Sequence, residues 1–132
     1  MRVIVAGGGS VGGQVARALV SSGVHVIVVE RDKVRAAALA TSGLEVITGN
    51  ACATAPLEAA GALRADVLVA CTGHDEENLV ISFLAKRSLQ VPRVVARVND
   101  DINGWLFDDF WGVDAAISSA DALVALLKDA TG

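Results

Sequence analysis

A chain of 132 residues is long enough for one domain with a real core, and 53% hydrophobic against 20% charged residues marks a compact globular protein. With only 4% aromatic residues, aliphatic side chains must build that core, which suits alternating strands and helices with both sheet faces covered. A formal net charge of −4, a pI near 5.0 and the lack of any basic run argue against a nucleic-acid partner or an anionic membrane surface. No apolar stretch approaches the roughly 20 residues of a membrane span, so direct membrane insertion is not expected. Cys52 and Cys71 lack C-x-x-C spacing. Isolated thiols of this kind suit a reduced, cytoplasmic compartment, and both are expected to be buried small residues.

The first thirty residues read as one βαβ unit. Met1 to Ala6 is a short apolar run that reads as a strand and not a leader, since it has neither a charged n-region nor a cleavage site. Gly7-Gly8-Gly9-Ser10-Val11-Gly12 then spells G-x-G-x-x-G, Val11 to Ser21 has helical apolar spacing, and Val24 to Val29 is a second apolar run closed by Glu30. Dinucleotide binding needs each of these residue types. Gly7 permits a sharp turn out of the strand, Gly9 lets a pyrophosphate approach the backbone, and Gly12 lets the helix pack closely. Ser10 and Val11 offer backbone N–H groups at a helix start, where unpaired donors and the helix dipole favour an anion. Glu30 lies eighteen residues after Gly12, close to the ~20 expected of the acid that accepts from the adenosine ribose hydroxyls.

Beyond Glu30, Asp32 is predicted to cap a helix that turns Val34, Ala37, Ala38 and Leu39 toward the sheet and stops at Gly43. Leu44 to Thr48 alternates as an edge strand and delivers Gly49-Asn50-Ala51 at its carboxyl end. Thr54 and Pro56 start a short helix through about Leu63. Asp66 to Ala70 is a fully apolar strand, followed by Cys71-Thr72-Gly73 and the polar run His74 to Asn78. The next helix is expected to bury Leu79, Val80, Phe83 and Leu84, with its acidic residues in the first turn where the dipole favours them. Arg93 to Val98 is a fifth strand, Asn99-Asp100-Asp101 caps a segment rich in Trp and Phe, and Val113 to Ile117 is a sixth strand. A last helix begins at Ser118 or Ser119 and runs through Leu127.

Unbroken alternation predicts a Rossmann-like, doubly wound parallel sheet of six strands in the order 3-2-1-4-5-6, with right-handed crossovers and helices on both faces. Ligands bind such sheets at the carboxyl ends of the first and fourth strands, where the order reverses. Gly7 to Gly12, Asn50-Ala51, Thr72-Gly73 and Arg97 all fall at carboxyl strand ends, which gathers them around one cleft. No linker or repeat divides residues 1–132, so a single nucleotide-binding domain is expected.

The chain resembles the N-terminal domain of TrkA-type regulators of potassium uptake, also called the RCK or KTN domain. The matching stretches are Val3 to Gly12, Val28-Val29-Glu30, Gly49 to Ala51, Ala65 to Ala70, Asp75 to Val80, Val95 to Asp100 and Trp111 to Ser118. The glycine loop is shared by many dehydrogenases, whereas the Asp-Glu-Glu-Asn and Ala-Arg-Val-Asn segments are more particular. The resemblance implies a non-catalytic cytoplasmic subunit that binds NAD(H), or in some members ATP or ADP, and gates an integral-membrane potassium transporter or channel at the inner face of the membrane. It further implies that Gly7, Gly8, Gly9, Ser10 and Val11 hold the phosphates, Glu30 the adenosine ribose and Asn50-Ala51 the adenine edge. Thr72-Gly73 would meet the middle of the dinucleotide and Arg97 its distal half. Asn50 stands where the family usually has Asp. Ser10 stands where several ATP-responsive members have Arg, which removes a γ-phosphate partner and favours NAD(H) over ATP; ADP too is expected to be a lesser ligand than NAD(H). Family members usually continue into a second, smaller lobe, and no such C-terminal lobe is expected within these residues.

Two rival readings stay open: an NAD-dependent oxidoreductase, since fold does not fix function, and a redox sensor acting on some other partner. Against the first, the sequence contains no Tyr for a Tyr-Lys proton relay. His74 is expected to be structural or solvent-facing, His25 to be a packed core residue, and His74 to Glu77 to serve helix capping rather than a metal, so neither catalytic nor metal-binding residues are predicted. Arg31 either meets the extra phosphate of NADP or lies in solvent or on the adenine face. Trp105, Phe107, Phe110 and Trp111 are four of the five aromatic residues and cannot all share one helix face. They are expected to form a homodimer contact, and the resemblance extends this to a larger ring.

Overall fold

A computed structural model describes residues 1–118 and residue 127 of the chain. Six parallel strands form one sheet: β1 (Arg2–Ala6), β2 (His25–Glu30), β3 (Glu45–Thr48), β4 (Val67–Ala70), β5 (Arg93–Val98) and β6 (Ala115–Ser118). Their order is β3-β2-β1-β4-β5-β6, as the alternation predicts, with β3 on one edge. In β1 the two-residue period divides the core. Val3 and Val5 face one layer with Val26, Val28, Ala16 and Leu39, while Ile4 and Ala6 face the other with Leu57, Leu68, Leu79 and Ile81. Helices α1 (Ser10–Ser21) and α2 (Lys33–Thr41) therefore cover one face, and α3 (Thr54–Ala59) and α4 (Asp75–Phe83) the other. Because β1 pairs with β2 on one side and β4 on the other, the crossovers diverge there and open a crevice at the carboxyl ends.

Several helices turn differently from expectation. Asp32 caps α2 as predicted, accepting from the amides of Val34 and Arg35 at 2.9 and 3.1 Å. That start directs Ala36 and Leu39 inward and leaves Val34 81% exposed, with Ala37 and Ala38 also outside. Helix α3 ends at Ala59, because Gly61 adopts φ +91°, and Leu63 follows in a separate, exposed 3₁₀ turn. In α4 the buried face is Asp75, Asn78, Leu79, Ile81 and Ser82, whereas Val80 is exposed and Phe83 half-buried. The next turn, Leu84–Ser88, winds as a π-helix; Leu84 is half-buried there and Ala85 takes the core position. An apolar stripe had been expected. The buried side of α4 instead carries polar groups that tie down neighbouring loops.

His25 is solvent-exposed, not packed in the core: it opens β2 at the sheet's amino end and lies 3.4 Å from Glu45 on the neighbouring edge strand. Cys71 is buried as expected, but Cys52 is only half-buried. The aromatic segment forms two short 3₁₀ turns, Asp101–Leu106 and Asp109–Trp111, in place of one helix. Phe107 enters the core, and Trp111 packs edge-on against Phe83 at 5.9 Å, while Ile102, Trp105 and Phe110 remain exposed. Strand β6 starts at Ala115, two residues later than predicted. The expected last helix lies outside the described residues apart from Leu127, which is helical.

Candidate nucleotide-binding cleft

The crevice where the strand order reverses is a cleft of about 380 Å³. Of the residues singled out in the sequence, Gly7, Gly9, Ser10, Val11, Glu30, Arg31, Asn50, Ala51, Thr72, Gly73 and Arg97 all line it. Gly8 and Gly12 do not line it. A Cβ on Gly8 would lie 2.4 Å from a Leu39 methyl, so this residue is turned toward α2. One on Gly12 would stand 1.8 Å from the Gly7 carbonyl oxygen, so glycine there lets α1 begin directly beneath the turn. Gly7 makes that turn at φ +107°, in the left-handed region that favours glycine. A Cβ on Gly9, in contrast, would meet nothing within 4 Å, so the loop leaves open space at this residue. No side chain caps α1, which leaves the amides of its first turn for another acceptor.

Glu30 lines the cleft beside the glycine loop. Only 5% exposed, its carboxylate accepts from the Gly8 amide at 2.8 Å and the Asp32 amide at 2.7 Å, and Arg35 approaches it at 3.7 Å. The acid thus anchors the glycine loop from behind as well as facing the cleft. Arg31 reaches across the opening to Glu77 of α4 at 3.6 Å. Asn50 uses its side-chain oxygen to accept from the Cys52 amide at 2.9 Å, closing a local turn. Burial raises the Cys52 thiol above its ordinary pKa, the Glu77 charge adding to the effect and Arg31 opposing it.

The opposite wall is held by a polar knot. Asn78 accepts from the Thr72 amide at 2.9 Å and donates to the carbonyls of Thr72 and Arg97 at 3.1 and 2.9 Å, so one buried amide fixes both β4 and β5 ends. Asp75 accepts from the Asn99 amide at 2.6 Å, the Asp100 amide at 2.9 Å and the Asn103 side chain at 2.9 Å. Burial alone would push its carboxyl up; the Asn103 side chain and the Asn99 and Asp100 amides more than offset this and hold it below the ordinary aspartate value. Asp75 therefore fastens the loop after β5 from its place in the first turn of α4, where Glu76 and Glu77 also stand as expected. His74, at the N-terminus of α4, is exposed at the cleft rim and its side chain makes no capping bond.

Sequence reasoning missed Arg35 and Glu77, both of which line the cleft. Arg35 was within reach, since the Asp32 cap puts it in the first turn of α2, beside Glu30. Glu77 falls in the Asp-Glu-Glu-Asn segment, but nothing local marks it as a cleft residue, since its partner Arg31 belongs to the other half of the sheet. Among the described residues, no group of three His, Cys, Asp or Glu side chains is arranged to hold a metal ion. No described helix is long and apolar enough to cross a membrane.

A parallel sheet of order 3-2-1-4-5-6 with a glycine turn and a buried acid flanking its switch point defines a Rossmann-like α/β domain. Residues 3–119 match the TrkA-N domain, and the chain belongs to that family. It is 45% identical over 130 residues to the Trk system potassium uptake protein TrkA of Mycobacterium tuberculosis, covering 98% of this chain and 59% of that protein. The chain thus spans little more than half the length of that curated relative. The C-terminal domain of a Shewanella denitrificans Kef protein, solved in an AMP-bound form, is 28% identical with a TM-score of 0.73, covering 96% of this chain and 77% of that one. The TrkA-N domain of the inner membrane protein ybaL from Escherichia coli shares the fold at a TM-score of 0.81 and 19% identity, over 99% of this chain and 96% of that one.

Proposed function

We propose that the chain is the nucleotide-binding regulatory domain of a Trk- or Ktr-type potassium uptake system, taking NAD(H) in the cleft and controlling an integral-membrane potassium transporter or channel. The observation that carries this reading is the cleft itself: a glycine loop open at Gly9, uncapped amides of α1 beside it, and a fixed carboxylate at Glu30. Its chemistry matches a dinucleotide. The phosphates lie against Gly9, Ser10 and Val11, the adenosine ribose donates to Glu30, and the adenine edge lies toward Asn50-Ala51. Thr72, Gly73 and Arg97 meet the remainder. Identity of 45% to a TrkA protein supports the potassium-transport role, and the AMP-bound Kef relative supports an adenine nucleotide as ligand. Ser10 offers a γ-phosphate no guanidinium, so NAD(H) is preferred to ATP.

In this reading the domain does not catalyse. Ligand binding acts by favouring one conformation over another, which requires different affinities for the two. The domain works as a homodimer or larger ring in the cytoplasm, held at the inner face of the membrane through its transporter partner. Parallel calorimetric titrations with NADH, NAD, NADPH, ATP and ADP test the ligand, and absence of binding by all five would overturn the proposal. The exposed His74 at the cleft rim favours a second reading, an oxidoreductase with His74 as acid or base. Turnover of NADH with simple keto acids at roughly 1 s⁻¹ or faster would install that reading instead.

A further inference from the structure

Two guanidinium groups flank the adenosine end of the cleft, and each has a carboxylate partner. Arg35 pairs with Glu30 at 3.7 Å, and Arg31 with Glu77 at 3.6 Å. The two pairs are built differently. Glu30 is held by the Gly8 and Asp32 amides and so belongs to the loop. The Glu77 carboxylate has Arg31 as its one polar partner among the described residues, and it enters from α4, in the other half of the sheet. A phosphate on the adenosine ribose is recognised by a free arginine just beyond the second strand, the position that Arg31 occupies.

We propose that Glu77 is a specificity-determining residue that excludes NADP(H) by occupying Arg31. Discrimination then rests on two acids: Glu30 from within the βαβ unit, and Glu77 from across the cleft. With both present, the two arginines are neutralised locally and a 2′-phosphate gains no net attraction. Removing the Glu77 charge frees Arg31 and raises the local charge by one unit, where the extra phosphate of NADP(H) would lie. Unmodified dinucleotide leaves the Arg31–Glu77 pair intact across the adenosine end. This inference deepens the proposed function and rests on it.

The test titrates NADH and NADPH into the unmodified chain, Glu77→Gln, Arg31→Ala and the double variant, with circular dichroism to confirm folding. Glu77→Gln is expected to raise the ratio of NADPH to NADH affinity about three- to fivefold, the range set by a partly exposed ion pair. The double variant should lose that gain, and the gain should shrink in about 1 M salt, where screening acts within ~3 Å. An unchanged ratio in Glu77→Gln, or an equal gain without Arg31, overturns the proposal while leaving NADH binding to the unmodified chain in place. If the unmodified chain binds neither dinucleotide, the proposed function fails and this inference fails with it.

Discussion

Replacing Asp75 by Asn tests whether the polar face of α4 holds the cleft wall together. The substitution keeps the side chain's size but turns one acceptor oxygen into a donor. Either Oδ1, which accepts from the Asn99 amide and side chain, or Oδ2, which accepts from the Asp100 amide and the Asn103 side chain, is lost. Two donors then face an NH₂ group in a site where Asp75 is only 6% exposed. The Asn99 side chain keeps the Thr72 carbonyl as an acceptor, so one or two donors are left unpaired, and at about 1–3 kcal/mol each the variant should lose roughly 1–6 kcal/mol. That is a large share of the ~5–15 kcal/mol that a domain has in total. Urea unfolding at neutral pH reads the difference directly. The pH dependence supplies a second check. Because the folded carboxyl titrates below the ordinary aspartate value, its stabilisation is complete above that value and is lost as pH falls through the folded one. The gap between unmodified protein and variant should therefore narrow as the pH drops below 3.8, the ordinary aspartate value. A gap below about 0.5 kcal/mol at neutral pH, the size of an ordinary surface substitution, would refute the reasoning.

Gly9→Ala and Gly12→Ala should separate binding from folding. The first adds a methyl where nothing lies within 4 Å, so thermal unfolding should barely change while NADH affinity falls; the second drives a Cβ to 1.8 Å from the Gly7 oxygen and should cost about 1–3 kcal/mol in urea. Glu30→Arg should weaken NADH and relieve repulsion of a 2′-phosphate, and it should also loosen the glycine loop, whose Gly8 amide loses its acceptor; calorimetry and amide exchange of residues 7–12 read the two effects. Ile102, Trp105 and Phe110 are 74%, 77% and 65% exposed, three large apolar side chains of one segment of the kind that interfaces cover. Light scattering at micromolar concentration should show at least a dimer for the unmodified chain and folded monomers for Trp105→Glu; a monomeric unmodified chain would refute assembly through this segment.

How much of this was legible in the sequence follows from how far each signal reaches. The parallel sheet came from the alternation of apolar runs with helical spacing, because parallel neighbours need crossovers, and its order is the usual one for a chain whose first βαβ unit carries the glycine turn. The glycine turn and Glu30 were legible because the βαβ unit keeps its working parts within about thirty residues. Helix faces fared worse. For α2, spacing alone allowed several stripes, and the choice of Ala36 and Leu39 depends on how the Asp32 cap sets the helix against the sheet. For α4, a hydrophobic pattern is blind to a helix that buries Asp75, Asn78 and Ser82. The aromatic segment was read as a helix, so Phe107 and Trp105 were treated alike, whereas the 3₁₀ turns send one into the core and leave the other in solvent.

The cleft shows most plainly where such reading stops. Each half of the sheet supplies its own wall, and what one wall contains is written in its own strand-to-helix turn. What joins the walls is not written there. Arg31 and Glu77 meet only because β1 is flanked by β2 and β4, so that the end of the second strand faces the first turn of α4. The same topology lets Asn78 bond the carbonyls of both Thr72 and Arg97, and lets Asp75 fasten the loop after β5. The residues that set the cleft's width and charge are therefore long-range partners. A substitution at Glu77 is accordingly expected to alter ligand choice, as one at Glu30 does, although only Glu30 stands in the glycine-loop βαβ unit.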